Sequence, residues 1–316
     1  MSDIEILVVD NGSTDGTSPW LASRIAAGEW PQVRLLHESR PGKSFAVNRG
    51  VSQATGAILL LTDDDVVPEE GWITAMVTAM EKTGADFGVG RICPIWEAEP
   101  PAWLSPALYG VLAIPDNGPE RLRVASGCNE QVMPIGANMA IRPSVIRRIG
   151  GWRSELGKLR DTLRSGEDHD FYLRMLEAGH VGVYEPSALV GHLVPANRLT
   201  QQYFRRWMRE NGRIVSALDR RYHRPVVRLL GVPRYLWRDA LSNAAGLLFP
   251  RTLEPGPRFA LSSRLAWFFG YLQGAWLGGG GDSATTRISP TAGISRTAGL
   301  ESSGKSPDAT HVLLEQ

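Results

Sequence analysis

Two short runs of branched apolar residues end abruptly in acid, and this narrows the possible folds more than anything else in the chain. Ile4 to Val9 stops at Asp10-Asn11-Gly12-Ser13, and Ala57 to Leu61 stops at Asp63-Asp64-Asp65. A run that is apolar throughout, rather than at alternate positions, is covered on both faces, as parallel strands are when helices flank them. Val33 to His37 reads as a further strand, while Trp20 to Ala27 and Ser44 to Gln53 have helical spacing. Pro68 to Lys82 predicts a helix, with proline near its first turn and Trp72, Met76, Val77 and Met80 on one face. Strands alternating with helices at this spacing specify an α/β fold with a mainly parallel central sheet flanked by helices. In such open sheets, ligands bind beyond the carboxyl ends of the strands, where these acids lie.

Composition removes several function classes. The chain has 316 residues, long enough for about two domains by the usual prior, and 43% of them are apolar, ample for a core. Lys and Arg number 34 against 33 acids, a net charge of +1, so there is no basic excess pointing to nucleic acid. Two cysteines, Cys93 and Cys128, make no disulfide framework and no zinc pattern, which favours a reducing cytosolic compartment. No signal peptide is expected at the amino terminus, and no uncharged apolar run reaches the roughly 18 to 20 residues of a spanning helix.

Farther along, Pro94 to Pro119 reads as a long proline- and tryptophan-rich excursion. Regular structure is expected to resume at Met133 to Ile141, with helices at Ser144 to Ile149 and Glu167 to Ala178 and a last short strand at Gly182 to Tyr184. From about Asn211 the chain alternates arginines with large apolar residues as far as Leu277. Within that stretch Leu261, Leu265, Phe268, Phe269, Leu272 and Trp276 share one helical face. The expected divisions are a catalytic domain at 1–211, an amphipathic helical region at 212–277 and a disordered Gly/Ser/Thr-rich tail at 278–316.

Three consecutive carboxylates repel one another unless a cation sits among them. Asp63 and Asp65, alternate members, are the pair best able to face one ion, and oxygen ligation on a turn suits Mg²⁺ or Mn²⁺. Taken alone, the triplet equally fits a solvated acidic turn leading into the next helix. Asp168 is placed in a first helical turn, where the dipole keeps a carboxylate ionised and able to take a proton from a hydroxyl, although capping alone would also put acids there. His192 follows the apolar Ala188-Leu189-Val190 and has the default reading of a core histidine. Arg49, beside Asn48, is able to reach a diphosphate or to lie on the surface.

The order of these segments resembles family 2 glycosyltransferases, bacterial inverting enzymes of the GT-A (nucleotide-diphospho-sugar transferase) fold. The resemblance rests on Val8-Val9-Asp10-Asn11-Gly12-Ser13-Thr14-Asp15-Gly16-Thr17, then Asn48-Arg49-Gly50 and Leu61-Thr62-Asp63-Asp64-Asp65-Val66-Val67-Pro68. It continues through Gly136-Ala137-Asn138-Met139-Ala140, Gly150-Gly151-Trp152 and Gly166-Glu167-Asp168, with Arg174 downstream, and covers roughly residues 4 to 210. It implies that Asp10, Asn48, Arg49, Asp63 and Asp64 contact the nucleotide-sugar, and that Asp63 and Asp65 form a DxD pair holding the metal. By the same resemblance Asp168 is the general base on the acceptor hydroxyl, and Gly136, Asn138, Gly151, Trp152 and Glu167 belong to the acceptor or sugar site. Some members add a histidine ligand downstream, and His192 stands where it would be expected. The implied activity is metal-dependent, inverting transfer from a nucleotide-diphosphate sugar to a glycan or lipid-linked acceptor, in the service of cell-envelope polysaccharide synthesis. The rival is a catalytically inactive nucleotide- or glycan-binding module of the same fold. A Rossmann oxidoreductase is excluded by the lack of GxGxxG after the first strand.

Two departures matter. Gln201-Gln202-Tyr203-Phe204-Arg205-Arg206-Trp207 is similar to the QxxRW motif of processive members but has Tyr203 where that motif has glutamine, so processivity is not expected; a helix closing over the site is. The family also begins with a strand and loop for which this chain has only Met1-Ser-Asp, so a central slot beside Ile4 to Val9 is expected to lack its strand. The chain as written is then expected to be unstable or weakly active beside an upstream-extended form. Arginine-rich helices with tryptophan and phenylalanine suit peripheral contact with an anionic membrane on its cytoplasmic face, or simply packing against the catalytic domain or a second subunit.

Overall fold

The computed structural model describes residues 4–156, 163, 166–222, 226–248, 255–277 and 310–315. The run ending at Asp10 is β1 (Ile4–Asp10), followed by α1 (Thr17–Ala26), β2 (Val33–His37) and α2 (Lys43–Gln53). The run ending in the acidic triplet is β3 (Ile58–Asp63). After it come a short β4 (Val66–Pro68), α3 (Trp72–Thr83) and a ten-residue β5 (Phe87–Trp96). A 3₁₀ turn at Pro106–Leu112 and β6 (Leu122–Val124) lead to β7 (Met139–Ile141), α4 (Pro143–Ile149) and α5 (Glu167–Glu177). The chain then forms β8 (Gly182–Val194), α6 (Gln201–Arg221), the strands β9 (Arg228–Leu229) and β10 (Val232–Pro233), α7 (Arg234–Leu248), α8 (Pro255–Leu277) and β11 (Thr310–Glu315).

Among the described residues the main sheet has nine strands in the order β2-β1-β11-β3-β7-β5-β8-β4, with β6 also on β8. It is mixed. β2, β1, β11 and β3 run parallel, β7 opposes both β3 and β5, and β8 runs parallel to β5 while β4 and β6 oppose β8. Burial on β3 follows the pleat. Ile58 and Leu60 join the cluster containing Trp72, Met76 and Met80 of α3, while Leu59 and Leu61 join Val47 of α2 and Phe171 and Met175 of α5. Both faces are covered, and this is why the run is apolar without alternation.

Three expectations change. The slot beside β1 is filled: β11 lies between β1 and β3, with Leu7 paired to Leu313 and Leu60 to Val312, so the ladder groups expected to be unpaired have partners. The expected disordered tail therefore includes a strand at Thr310–Glu315, and the rest of 278–316 lies outside the described residues. The short strand expected at Gly182 to Tyr184 continues to Val194, because a shift in register between Gly90 and Arg91 of β5 absorbs extra residues of β8 and lets the pairing resume at Leu189.

The carboxy-terminal helices belong to the same body. α6 runs unbroken through residue 211, where a domain boundary was expected, and packs on α8 through glycine. A methyl group on Gly212 would stand 2.1 Å from the Trp267 carbonyl oxygen, one on Gly270 2.0 Å from that of Arg209, and one on Gly274 3.0 Å from that of Arg213. Backbone meets backbone along this seam, so a Cβ at Gly212 or Gly270 forces the helices apart. The apolar face expected on α8 is divided by its neighbours: Phe268 and Leu272 are buried against α7 residues, whereas Phe269 and Trp276 remain exposed.

Candidate active site

The carboxyl ends of β1 and β3 open into a cavity of about 610 Å³. Its lining includes the Asn11–Asp15 loop, Lys43, the triplet Asp63-Asp64-Asp65, Glu167, Asp168, His169, His192 and Arg198. Tyr203, Trp207 and Asn211 of α6 form part of its wall, as expected of a helix closing over the site.

The floor is organised by residues that do not face the cavity. Asp10 is buried, and its carboxylate accepts hydrogen bonds from the Ser13 amide at 2.8 Å and the Ser18 hydroxyl at 2.5 Å. Burial works against its ionisation, yet the bonds from Ser13, Ser18 and His37 outweigh this and hold the carboxyl down at about 2. Asp10, expected to contact the nucleobase, is absent from the lining and shapes the loop after β1, whose residues Asn11 to Asp15 do line the cavity. Asn11 in turn accepts from the Gly42 amide and donates to the carbonyls of Glu38 and Arg40, stitching that loop to the one entering α2. Gly42 has φ 129°, a value that favours glycine at this junction.

At the end of β3 the acids divide. Asp63 accepts from Lys43 Nζ at 2.6 Å, whereas Asp65 faces His192, with Oδ1 3.3 Å from Nε2. Strand pairing creates the second contact. Val66 of β4 lies opposite His192 of β8, and the Leu193 amide donates to the Asp65 carbonyl, so residue 65 must abut the histidine. Burial raises the Asp65 pKa and the His192 hydrogen bond, helped by Arg198 and Lys43, lowers it; the net position is below the usual carboxylate range. His192 is 3% exposed, and its Nδ1 has no hydrogen-bond partner. Among the described residues no three His, Cys, Asp or Glu side chains are grouped to hold a metal. The expected trio of Asp63, Asp65 and His192 is thus a pair, Asp65 with His192, because Asp63 is committed to Lys43. An acid and a histidine whose Nε2 faces it are donors that fit a divalent cation, which draws its other ligands from phosphate and water.

Across the cavity, Asp168 sits in the first turn of α5 with both oxygens engaged: Oδ2 accepts from the Gly136 amide at 3.0 Å and Oδ1 from the Trp152 indole at 2.9 Å. Trp152 is itself fixed by stacking on Phe171, with centroids 3.9 Å apart and planes within 8°. Beside it Glu167 is buried and lines the cavity, with Oε2 lacking a hydrogen-bond partner. Burial, and secondly the charge of Asp168, push its carboxyl up to about 7. The folded protein therefore keeps a proton here that the unfolded chain, with its ordinary value of 4.5, releases. The resulting stability is fully present below pH 4.5 and is lost as pH rises to about 7. Glu167→Gln is expected to flatten that part of the stability profile, which urea unfolding at a series of pH values would read; a slope equal to the parent's would show the proton to be elsewhere.

Several residues expected to touch ligand are outside the cavity lining and are bonded into the scaffold. Asn48 exchanges two hydrogen bonds with the Trp152 backbone, donating to its carbonyl and accepting from its amide, and Gly151 leaves room for it because a Cβ there would lie 2.2 Å from Asn48 Oδ1. Asn138 is fully buried, accepting from the Trp72 indole and donating to the carbonyls of Arg91 and Ala188. Arg49 is exposed and outside the lining, whereas Lys43, six residues earlier on α2, is part of it. Gly136 acts through its amide on Asp168. Lys43 and Arg198 were missed: each is a lone basic residue in sequence, and only the fold brings it to the acids.

The sequence profile of Glycosyl transferase family 2 matches residues 1–150. The chain is 30% identical to the pre-mycofactocin glycosyltransferase of Mycobacterium tuberculosis over 190 residues, 60% of this chain and 37% of that protein. It is 24% identical over 237 residues to the probable glycosyltransferase YdaM of Bacillus subtilis, 67% of this chain and 49% of that protein. The matched region thus spans half or less of these relatives' length. Among solved structures, the mannosyltransferase PcManGT of Pyrobaculum calidifontis, in complex with GDP-Man and Mn²⁺, superposes with a TM-score of 0.51. It is 16% identical, over 86% of this chain and 78% of that one, a likeness of fold. Residues 1–150 thus match glycosyl transferase family 2, and the chain has the GT-A fold.

Proposed function

We propose that the protein is a metal-dependent inverting glycosyltransferase, moving a sugar from a nucleotide-diphosphate donor to a hydroxyl of a glycan or lipid-linked acceptor. The observation that carries this reading is one cavity with the Asp65–His192 pair and two cationic groups near one wall and an oriented carboxylate, Asp168, at another. The Asn11–Asp15 loop receives the nucleotide. Lys43 and Arg198 attract the diphosphate, and Lys43 gives up some of its hold on Asp63 as it does so. Asp65 and His192 would hold Mn²⁺ or Mg²⁺, which as a Lewis acid steadies the leaving diphosphate.

Asp168 takes the acceptor's proton. The Gly136 amide and the Trp152 indole fix both of its oxygens, so a lone pair is presented to the cavity without reorganisation. Attack from the side opposite the leaving group is a single displacement and inverts the anomeric centre. Glu167, carrying a proton below about pH 7, donates a hydrogen bond to a sugar oxygen and adds no second charge beside the base.

Titration calorimetry with UDP, GDP and dTDP, with and without Mn²⁺, tests the reading. One nucleotide should bind in a Mn²⁺-dependent way, and Asp65→Ala should lose that dependence. Mn²⁺-independent binding, or an unchanged response in the variant, would remove the metal assignment.

Peripheral membrane contact is proposed for the carboxy-terminal helices. Tyr235 and Leu241 of α7, Phe269 and Trp276 of α8, and the β9–β10 turn at Leu230 are exposed, as are Arg234 and Arg238 of α7. No helix among the described residues is long and apolar enough to cross a membrane. Flotation with phosphatidylglycerol vesicles should recover the parent protein and not Leu241→Glu/Phe269→Glu; equal recovery of both would remove the contact.

A further inference from the structure

A second, larger cavity of about 1030 Å³ adjoins the first. Seven residues, among them Val111, Met133, Ile135, His169, Trp207 and Asn211, border both, so the two share a wall immediately beside Asp168. Beyond that wall the space is enclosed by the 3₁₀ turn at Pro106–Leu112, α5, α6, α7 and α8. Its buried lining, including Leu108, Leu173, Leu176, Ala240 and Phe268, is apolar, and the hydroxyl of buried Tyr172 is satisfied by the Glu130 carbonyl. The charged groups that border it, Glu130, Asp239 and Arg264, are all exposed, at its mouth.

These walls suit neither a nucleotide nor a diphosphate, whose charges would go unmet among leucine, valine and phenylalanine. They suit the apolar body of a molecule whose hydroxyl lies on the other side of the shared wall. Resting on the transferase reading above, we infer that the second cavity holds the non-reacting portion of the acceptor, and that the acceptor is amphiphilic. Its hydroxyl-bearing head sits at Asp168, and an aliphatic or aromatic body passes His169 and Asn211 into the apolar chamber. A cavity of this size, apolar with a few polar groups at its mouth, is typical of small-molecule sites. The indole of Trp267 keeps the passage shaped by donating to Asn211 Oδ1 at 2.8 Å.

The test uses hexyl, octyl and decyl β-D-glucosides, with glucose as the control, titrated below their micelle-forming concentrations. The parent protein is compared with Asn243→Trp, which places a large side chain in the chamber wall on α7 and leaves the first cavity untouched. Ser242→Phe, an exposed position of the same wall, serves if Asn243→Trp does not fold. Affinity should tighten about fourfold per added methylene, glucose should bind far more weakly, and the filled variant should lose at least about tenfold while binding nucleotide like the parent. Affinity independent of chain length, or unchanged in both filled variants, would overturn the inference. Loss of nucleotide binding by the parent with chain-length dependence retained would overturn the transferase reading and leave an amphiphile site.

Discussion

Asp168→Asn should lower the transfer rate by about 10²- to 10⁴-fold, the range for loss of a positioned general base, while nucleotide affinity stays at the parent's value. The amide has the right size but the wrong chemistry: it cannot take a proton, and its NH₂ must face either the Gly136 amide or the Trp152 indole, both donors. That mismatch carries a stability cost on the order of 1–3 kcal/mol, so the thermal midpoint should be measured alongside. Trp152→Phe separates positioning from proton transfer, since it preserves a ring against Phe171 and removes one hydrogen bond. It should lower kcat less than Asp168→Asn does. Transfer assays with radiolabelled nucleotide-sugar at saturating acceptor would decide it. A rate for Asp168→Asn within a factor of two or so of the parent would assign the base elsewhere.

Asp170→Ala should destabilise the fold by about 3–5 kcal/mol, the cost of breaking a buried ion pair, and lower the thermal midpoint by about 10 °C. Asp170 is fully buried, and its carboxylate accepts from Arg153 at 2.7 Å, Arg174 Nε at 2.8 Å and the Tyr222 hydroxyl at 2.7 Å. Arg174 also donates to the carbonyls of Ile149, Gly150 and Gly151, so one acid anchors the loop that carries Trp152. Removing it leaves Arg174 buried without its counter-charge and frees the end of α6 at Tyr222. Activity should fall further than thermal loss alone accounts for, because Trp152 aims Asp168. Differential scanning calorimetry reads the first effect, and a midpoint within about 2 °C of the parent's would show that the hub is dispensable.

The parts of this architecture legible in sequence were those whose signal is local. β1 and β3 announced themselves because a strand covered on both faces has no polar positions to blur it, and the acids after them mark the strand ends that open into the cavity. Asp65, Asp168, Glu167 and His192 were all identified and do line that cavity. Placement relative to the cavity was harder to read. Asn48, Asn138, Gly151 and Trp152 belong to motifs read as ligand-binding, yet each forms a long-range bond or close approach that no spacing reveals, such as Asn48 to a backbone 104 residues away. Lys43 was passed over for Arg49 because both lie on one short helix, and only its docking against the sheet decides which faces inward. β5 and the full length of β8 were hidden by glycine, proline and a register shift, all of which weaken periodicity without preventing pairing. Asp170 looked like one more acid in a helix's first turn, and its partners come from three separate segments.

The glycine seam between α6 and α8 has a consequence for how such a protein diversifies. Helices in backbone contact have no slack, so α6 and α8 set a fixed spacing for two sides of the second cavity, and substitutions along the seam would disturb Trp207 and Asn211, which also border the first. α7 is under no such restraint. It gives the second cavity Leu236, Asp239, Ala240, Ser242 and Asn243 and gives the first nothing. Mutation can therefore resize one compartment through a single helix while the chemistry in the other stays intact, which separates the evolution of selectivity from that of catalysis within one continuous body.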